Sequence, residues 1–447
     1  MKRTVITLLF IASYFSFSPA GAQTLEACQQ AAEQNYPLIR QYDLLAKTTA
    51  LTVANIQKGW LPQVQATAQA TLQSDVTAWP DQMKGLLQQV GVNLKGLSKD
   101  QYRVGIDVQQ TLIDGGVISS QKEIARRQGD VEQAQNAVNI YNVRKRVNEL
   151  YFALLLMDEQ LRLKADLLEL LKGNERQLAS MLEHGTASES DFSAMEAERL
   201  GAEQQLVSLQ SQRLTLQRML SLFCGIEVDS LECRVESGEF ATAVPEALGQ
   251  SAAANSTLST FHSPLNRPEL HVIDARLRLA DAQERALDAR LMPRLGVFAQ
   301  GFYGYPGLNM FEDMLRRRWS LNGLVGARLT WNIGALYTRK NDKARIRLQR
   351  ESAEVSREVF LFNNRQEQLQ QSDDVERYWH LMTSDAEIIS LRTKVRQAAE
   401  SKLAHGIIDV NSLLSELNAE NAARVQQSVH KIEMLKEMYD LKYTTNN

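Results

Sequence analysis

The chain has 447 residues, 44% hydrophobic and 7% aromatic, which is ordinary for a folded protein. Setting aside Lys2 and Arg3, which belong to an export segment, leaves 48 basic against 53 acidic residues, a net charge of −5 that argues against a general nucleic-acid binder. Three cysteines are too few for a disulfide framework.

Residues 1–22 read as a signal peptide. Lys2 and Arg3 supply the positive start, and Val5 to Phe17 is apolar except for Thr7, Ser13 and Ser16. Ala20-Gly21-Ala22 supplies the small-residue cleavage pattern, so the mature chain is expected from Gln23. The apolar run is too short to span a bilayer, which takes about 20 apolar residues. No second apolar run of that length follows, so a membrane crossing must be made by strands. Leu25-Glu26-Ala27-Cys28 loosely imitates a lipidation box, against which Cys28 reads as a small apolar residue on a helix face. Cys224 and Cys233 flank Gly225 and are candidates for a pair.

The nine prolines leave 81–244 and 307–447 free of that residue, which permits very long helices. They also betray a duplication. Pro37 and Pro268 lie 231 residues apart, as do Pro62 and Pro293. Thr111-Leu112-Ile113-Asp114-Gly115-Gly116 matches Thr330-Trp331-Asn332-Ile333-Gly334-Ala335 at an offset of 219, and His184-Gly185 matches His405-Gly406 at 221. The chain therefore divides into 23–224, a Ser/Ala/Thr-rich connector at 225–265, and a second unit at 266–445. Each unit is expected to hold a helix of about 25 to 35 residues ending at proline, then strand, loop, strand, glycine, a helix of nearly 70 residues, a His-Gly turn and a returning helix.

The strands alternate. Val64, Ala66, Ala68, Ala70 and Leu72 oppose Gln65, Thr67, Gln69, Thr71 and Gln73; Tyr102, Val104, Ile106 and Val108 oppose Arg103, Gly105, Asp107 and Gln109. Val325, Ala327, Leu329 and Trp331 continue the pattern, while 294–305 is less strict, with Phe298 and Phe302 on the face opposite Val297 and Tyr303. Segments of about ten residues with one wet and one apolar face suit a water-filled barrel in lipid. Trp60, Trp79, Tyr102, Tyr303, Tyr305, Trp319 and Trp331 fall near strand ends, where an interfacial aromatic girdle would lie. A soluble β-sandwich is the plainer reading, and four strands split between two long helical segments suit it poorly.

A heptad row runs from Ile140 through Val143, Val147, Leu150, Leu154, Met157, Leu161, Leu168, Leu171 and Leu178 to Leu182, skipping Lys164 and Glu175. Phe192, Met195, Ala202, Leu206, Leu209, Leu216, Leu220 and Phe223 repeat it, with Arg199 and Arg213 at the missing steps. The second unit is less regular: Ala422, Val425, Val429, Ile432 and Tyr439 keep the spacing. A helix over 116–183 would be roughly 100 Å long. Four strands cannot seal a barrel, because open edges in lipid leave backbone groups unpaired. Barrels of this kind have at least eight strands, so the chain must associate, as two copies or three.

Taken together, Thr24-Leu25-Glu26-Ala27, Asn35-Tyr36-Pro37, Leu61-Pro62, Leu112-Ile113-Asp114-Gly115-Gly116 and Arg267-Pro268-Glu269-Leu270 resemble the TolC-like outer-membrane efflux and secretion channels over essentially all of 23–445. The resemblance implies an α+β membrane protein: a homotrimer whose twelve-stranded transmembrane β-barrel, four strands per subunit, continues into a long periplasmic α-helical barrel. It implies a non-enzymatic exit duct in the outer membrane of a Gram-negative cell envelope, serving a tripartite efflux pump or a type I secretion system. Its partners would be a periplasmic adaptor, an inner-membrane pump of RND or ABC type and outer-membrane lipid, without nucleic acid. Pro62, Pro293, Gly115, Gly116 and Gly334 would mark helix–strand junctions. Gly185 and Gly406 would mark the periplasmic tip, with Asp191 in its constriction; Ser412 and Ser415 stand where the family can present carboxylates, with Glu189, Asp409 and Glu416 nearby. Asp191 as a helix-capping residue is the plainer reading. His184 and His405 suit helix C-termini better than a metal or pH site.

No phosphate loop, His-Glu-x-x-His, nucleophile elbow or Cys-x-x-Cys occurs, so no cofactor, metal or catalytic residue is expected. A periplasmic adaptor would show one helical hairpin rather than two, and a coiled-coil scaffold would not need alternating strands.

Overall fold

The computed structural model describes residues 24–89, 91, 96–228 and 265–446. The expected signal peptide, most of the connector and Cys233 lie outside the described residues. The order of elements is α1 (Leu25–Asn35), α2 (Ile39–Gln57), β1 (Gln63–Leu72), α3 (Asp81–Gln89), β2 (Asp100–Ile113), α4 (Val117–Glu183), α5 (Glu189–Cys224), α6 (Pro268–Arg290), β3 (Arg294–Tyr305), α7 (Met310–Leu315), β4 (Ser320–Thr330), α8 (Ala335–Ala404) and α9 (Val410–Thr445). The two long helices have 67 and 70 residues and the returning helices 36 each.

Two expectations need correction. The opening helix of the first half is not continuous, because Pro37 disfavours helical geometry in the residue before it. Tyr36 sits at φ −63° and ψ 130°, so α1 stops and α2 begins at Ile39. The strand-to-strand connections, expected as plain loops, carry α3 and α7, of 9 and 6 residues.

The chain clusters into two compact units. One comprises Met1–Ile39, Ala137–Pro268 and Phe360–Asn447; the other comprises Arg40–Asn136 and Glu269–Val359. The first is helical. The expected heptad row of α4 supplies much of its core, with Val143, Val147, Leu154, Leu171 and Leu178 each no more than 2% exposed. Around Val147 they pack with Leu25, Cys28 and Ala32 of α1, Leu220 and Cys224 of α5, and Ile432 and Leu435 of α9. Around Leu178 they pack with Met195, Ala202, Leu413 and Leu417. Burial of each such leucine contributes roughly 1.5–3 kcal/mol. The irregular pattern of α9 has a physical cause: its buried row includes Glu420, Ser428, His430 and Asp440.

The second unit holds the sheet, an antiparallel meander in the order β1-β2-β3-β4. Its helix α6 buries a row of small residues, Ala275, Ala282, Ala286 and Ala289 among them. Above that row, Arg339 and Arg350 of α8 pair with Asp288 and Asp281 at 2.7 and 2.6 Å. Among the described residues, no helix is long and apolar enough to cross a membrane.

Candidate functional site

The strand register brings the two alternations into phase, since residues directly opposite each other share a face. One face carries rows such as Val64–Val108–Ala299–Val325 and Ala68–Val104–Tyr303–Leu321. The other carries Gln65–Asp107–Gln300–Leu324 and Gln69–Arg103–Gly304–Ser320. The apolar face is open in the single chain, with Val64 67%, Val104 56% and Val325 80% exposed.

Phe298 and Phe302, the irregular members of β3, lie on the polar face for a packing reason. Phe302 stands opposite Gly105 and Phe298 opposite Gly326. A Cβ on either glycine would come within 2.8 Å of the facing phenylalanine, so both rings fill glycine gaps. Arg103 covers the Phe302 ring at 3.8 Å and Arg328 the Phe298 ring at 5.0 Å, which returns charge to the wet side.

Of the expected girdle, Tyr102, Trp319 and Tyr303 form one exposed cluster, with Trp319 stacked 6.0 Å from Tyr102 and 5.4 Å from Tyr303. Trp60 and Trp331 lie at the opposite end of the sheet, both exposed, and Trp331 Nε1 donates to Leu291 O at 2.9 Å. Tyr305 and Trp79 are placed differently. Tyr305 is buried with Leu97 and Met314, its hydroxyl accepting from Ser98 N, and Trp79 packs against the same cluster.

At the strand-to-helix junction, Asp114 is the residue whose role went unread in the sequence. It is buried, and its carboxylate accepts from Gly116 N at 2.9 Å and Ile118 N at 2.6 Å, capping α4. Gly115 and Gly116 take φ of +67° and +87°, and a Cβ on Gly115 would lie 2.4 Å from Met292 Cβ. Gly334 has no such constraint: a Cβ there would meet only Asn332, at 3.6 Å. Pro62 and Pro293 stand immediately before β1 and β3.

The two hairpin turns share one geometry. Gly185 and Gly406 have φ of +71° and +70°, the left-handed conformation that ends a helix on glycine. His184 and His405 each place Nδ1 2.7 Å from the carbonyl four residues back, Ser180 O and Ser401 O, as helix-terminal residues do. After the turns the polar pairs are exchanged. Ser188 caps α5, and Asp191 closes the box by accepting from Ser188 N at 3.3 Å and Ser188 Oγ at 2.6 Å. In the second half Asp409 is the cap, accepting from Ser412 N at 3.0 Å, and Ser412 takes the place of Asp191. The carboxylate of this turn therefore stands three residues before Ser412, at Asp409. Ser415 is exposed on α9.

The skipped heptad steps at Glu175, Arg199 and Arg213 hold ion pairs. Glu175 meets Arg199 at 2.8 Å, Arg199 meets Glu203 at 3.0 Å, and Asp158 meets Arg213. In the second half Glu420, 5% exposed, accepts from Thr393, Arg396 and Arg424. Burial pushes the Glu420 carboxyl up, and the bonds from Arg424, Thr393 and Arg396 outweigh it and hold it below the usual range.

Residues 28–225 match the family model described as outer membrane efflux protein. Over that stretch the chain is similar to the outer membrane efflux proteins. The solved structures agree on the fold. The outer-membrane channel OprN superposes with a TM-score of 0.63 at 14% identity, over 94% of this chain and 89% of that one. The CmeC outer membrane channel of Campylobacter jejuni gives 0.63 at 11%, over 94% and 85%. The open state of the MtrE outer membrane channel of Neisseria gonorrhoeae gives 0.60 at 15%, over 95% and 89%. No curated protein matches by sequence. Proteins of this outer membrane efflux family are channels rather than enzymes, and their place is the outer membrane with the helical part in the periplasm.

Proposed function

We propose that three copies of this chain close one twelve-stranded barrel and form the passive exit duct of a tripartite efflux pump or a type I secretion system. The observation that carries the reading is the sheet. It has four strands with β1 and β4 at its edges, a face of Val64, Val104, Tyr303 and Val325 suited to lipid, and a face of Gln65, Asp107, Gln300 and Arg103 suited to a wet lumen.

The helices support the same reading. Leu200, Val207 and Leu214 of α5 form an exposed row spaced by seven, as do Leu381, Ile388 and Val395 of α8. Such a spacing keeps one helix seated on a neighbour over many turns, and in the assembly these rows would meet other subunits. The turns at Gly185 and Gly406 form the periplasmic tip in this reading, where Asp191 and Asp409 set the charge and an adaptor linked to an RND or ABC pump would dock. Tyr102, Tyr303 and Trp319 at one end of the sheet, with Trp60 and Trp331 at the other, supply the interfacial girdle.

Outer-membrane protein extracted in mild detergent should run as a trimer unheated and as a monomer after heating, and should conduct ions across planar bilayers. A water-soluble monomer that stays folded without detergent would overturn the proposal.

A further inference from the structure

Two of the three cysteines meet in the helical core. Cys28 of α1 and Cys224, the last residue of α5, are 0% and 3% exposed and share one apolar cluster with Leu25, Ala32 and Leu220. Cys224 Sγ lies 3.5 Å from Cys28 O, and the two thiols are in hydrogen-bond contact with each other. The hydrogen bond with Cys224 and burial push the Cys28 thiol up, while the same hydrogen bond holds the Cys224 thiol down.

The surrounding contacts fix the pair. Asn35 Nδ2 donates to Leu222 O and Phe223 O, both at 3.2 Å, and the Tyr36 and Phe223 rings stack at 6.1 Å. Gly225 ends α5 at φ +70° with its α-carbon against the Asn35 side chain, where a Cβ would clash. The C-terminal end of α5 is thus held in one register on α1, with sulfur against sulfur.

We propose that Cys28 and Cys224 are joined by a disulfide in the exported protein, a covalent staple between the start of the mature chain and the end of the first hairpin. The inference rests on export, because disulfides persist in oxidising compartments such as the periplasm. The oxidant is a periplasmic protein disulfide. One cysteine thiolate attacks it to give a mixed disulfide, and the second cysteine sulfur then displaces the oxidant's remaining thiolate. The Cys28–Cys224 bond forms, the oxidant's sulfur–sulfur bond is reduced with two electrons, and the two protons lost from the cysteines end on its thiols. Reaction precedes the packing of α1 on α5, since both sulfurs are buried afterwards.

The test is peptide mapping of the full chain taken from the outer-membrane fraction, denatured with N-ethylmaleimide and without reductant. The expected result is a linked pair of peptides containing Cys28 and Cys224, abolished by reduction, with Cys233 alone alkylated. Maleimide on both Cys28 and Cys224, or linkage of either to Cys233, overturns the staple. A second measurement compares melting: reductant should lower the melting temperature of the native chain and leave that of Cys28→Ala unchanged, and an equal response of the two overturns the staple as well. Cell fractionation reads the other premise separately, because a chain recovered from the cytosol would defeat the channel reading. In that event, refolding the denatured and reduced protein with oxidised glutathione still decides whether the two sulfurs join.

Discussion

Glu175 and Arg199 meet at 2.8 Å across the first hairpin, and 221 residues later the same two places hold Arg396 and Glu420 with the charges reversed. The third member follows suit: Glu203 beside Arg199 becomes Arg424 beside Glu420. The two hairpins thus hold a partly buried cross-helix ion triad at matching places, with its signs exchanged. Removing one partner of such a group leaves the others with an uncompensated charge, whereas exchanging all three preserves the pairing. Arg199→Glu should therefore lower the melting temperature of the purified protein. Combining it with Glu175→Arg and Glu203→Arg should recover most of that loss. Glu420→Ala, with Arg424 partly open to water, should cost about 2 kcal/mol. A triple exchange as unstable as the single one would show that the triad is not a transferable unit.

The exchanged caps predict opposite pH behaviour from the buried acids. Ser412 hydrogen bonds hold the Asp409 carboxyl below the usual carboxylate range. Its contribution to the α9 turn is present above the ordinary aspartate pKa of about 4 and is lost as pH falls through the lowered value. Asp440 has the reverse sign. Burial raises its pKa, against one bond from Asn148 Nδ2 at 3.2 Å, so its ionised form weakens the fold at neutral pH. Asp440→Asn should raise stability at pH 7 and flatten the stability curve above the ordinary aspartate pKa of about 4. Asp409→Asn should increase amide exchange in the first turn of α9 at neutral pH and remove its response to acid. Ser188→Ala should fray α5 at a cost of about 1 kcal/mol.

Asp191 offers a direct probe of the proposed tip. Its carboxylate bonds to Ser188 N and Oγ at the start of its own helix, which is a capping role. If the cap also keeps the tip narrow, Asp191→Ala channels in planar bilayers should conduct more than the native ones. Unchanged conductance would confine the residue to capping.

The sheet separates required from incidental glycines. A Cβ on Gly105 would sit 2.8 Å from both Gly301 O and Phe302 Cβ, while one on Gly301 would meet nothing within 4 Å. Overpacking a close-packed site costs about 1–3 kcal/mol. Gly105→Ala should lower the temperature at which the proposed trimer dissociates in gel electrophoresis, and Gly301→Ala should leave it unchanged. The same reasoning makes Gly115→Ala harmful and Gly334→Ala mild.

Elements and faces were legible in the sequence because they follow from periodicity. Val104, Ile106 and Val108 announce a strand with one apolar face, and Val143, Val147 and Leu154 announce a helix seam. Specific polar geometry was not. The gaps in the seam at Glu175 and Arg199 were visible, yet nothing local says that they fill each other across a hairpin. Ser412 seemed to break the pattern set by Asp191, because a cap can be built from either order of acid and hydroxyl. Tyr305 looked like a girdle residue until Leu97 and Met314 buried it, a contact made by connecting segments whose fold no alternation predicts.

Arg267 shows how much one side chain at the start of the second half can carry. It is buried, donates to Tyr443 O at 3.0 Å, and lies 4.9 Å over the Tyr141 ring and 4.8 Å over Tyr443. Tyr141 itself stacks on Tyr443 at 4.6 Å and donates its hydroxyl to Tyr443 O at 2.7 Å. The planar guanidinium is thus layered with two rings while it satisfies the last carbonyls of α9. A lysine keeps the charge and loses both the plane and the forked donors. Arg267→Lys should destabilise the chain by about 2 kcal/mol and speed proteolysis at its C-terminal end, with little change in single-channel conductance of the protein that survives. Equal thermal stability of the two proteins would mean that charge alone suffices at this position.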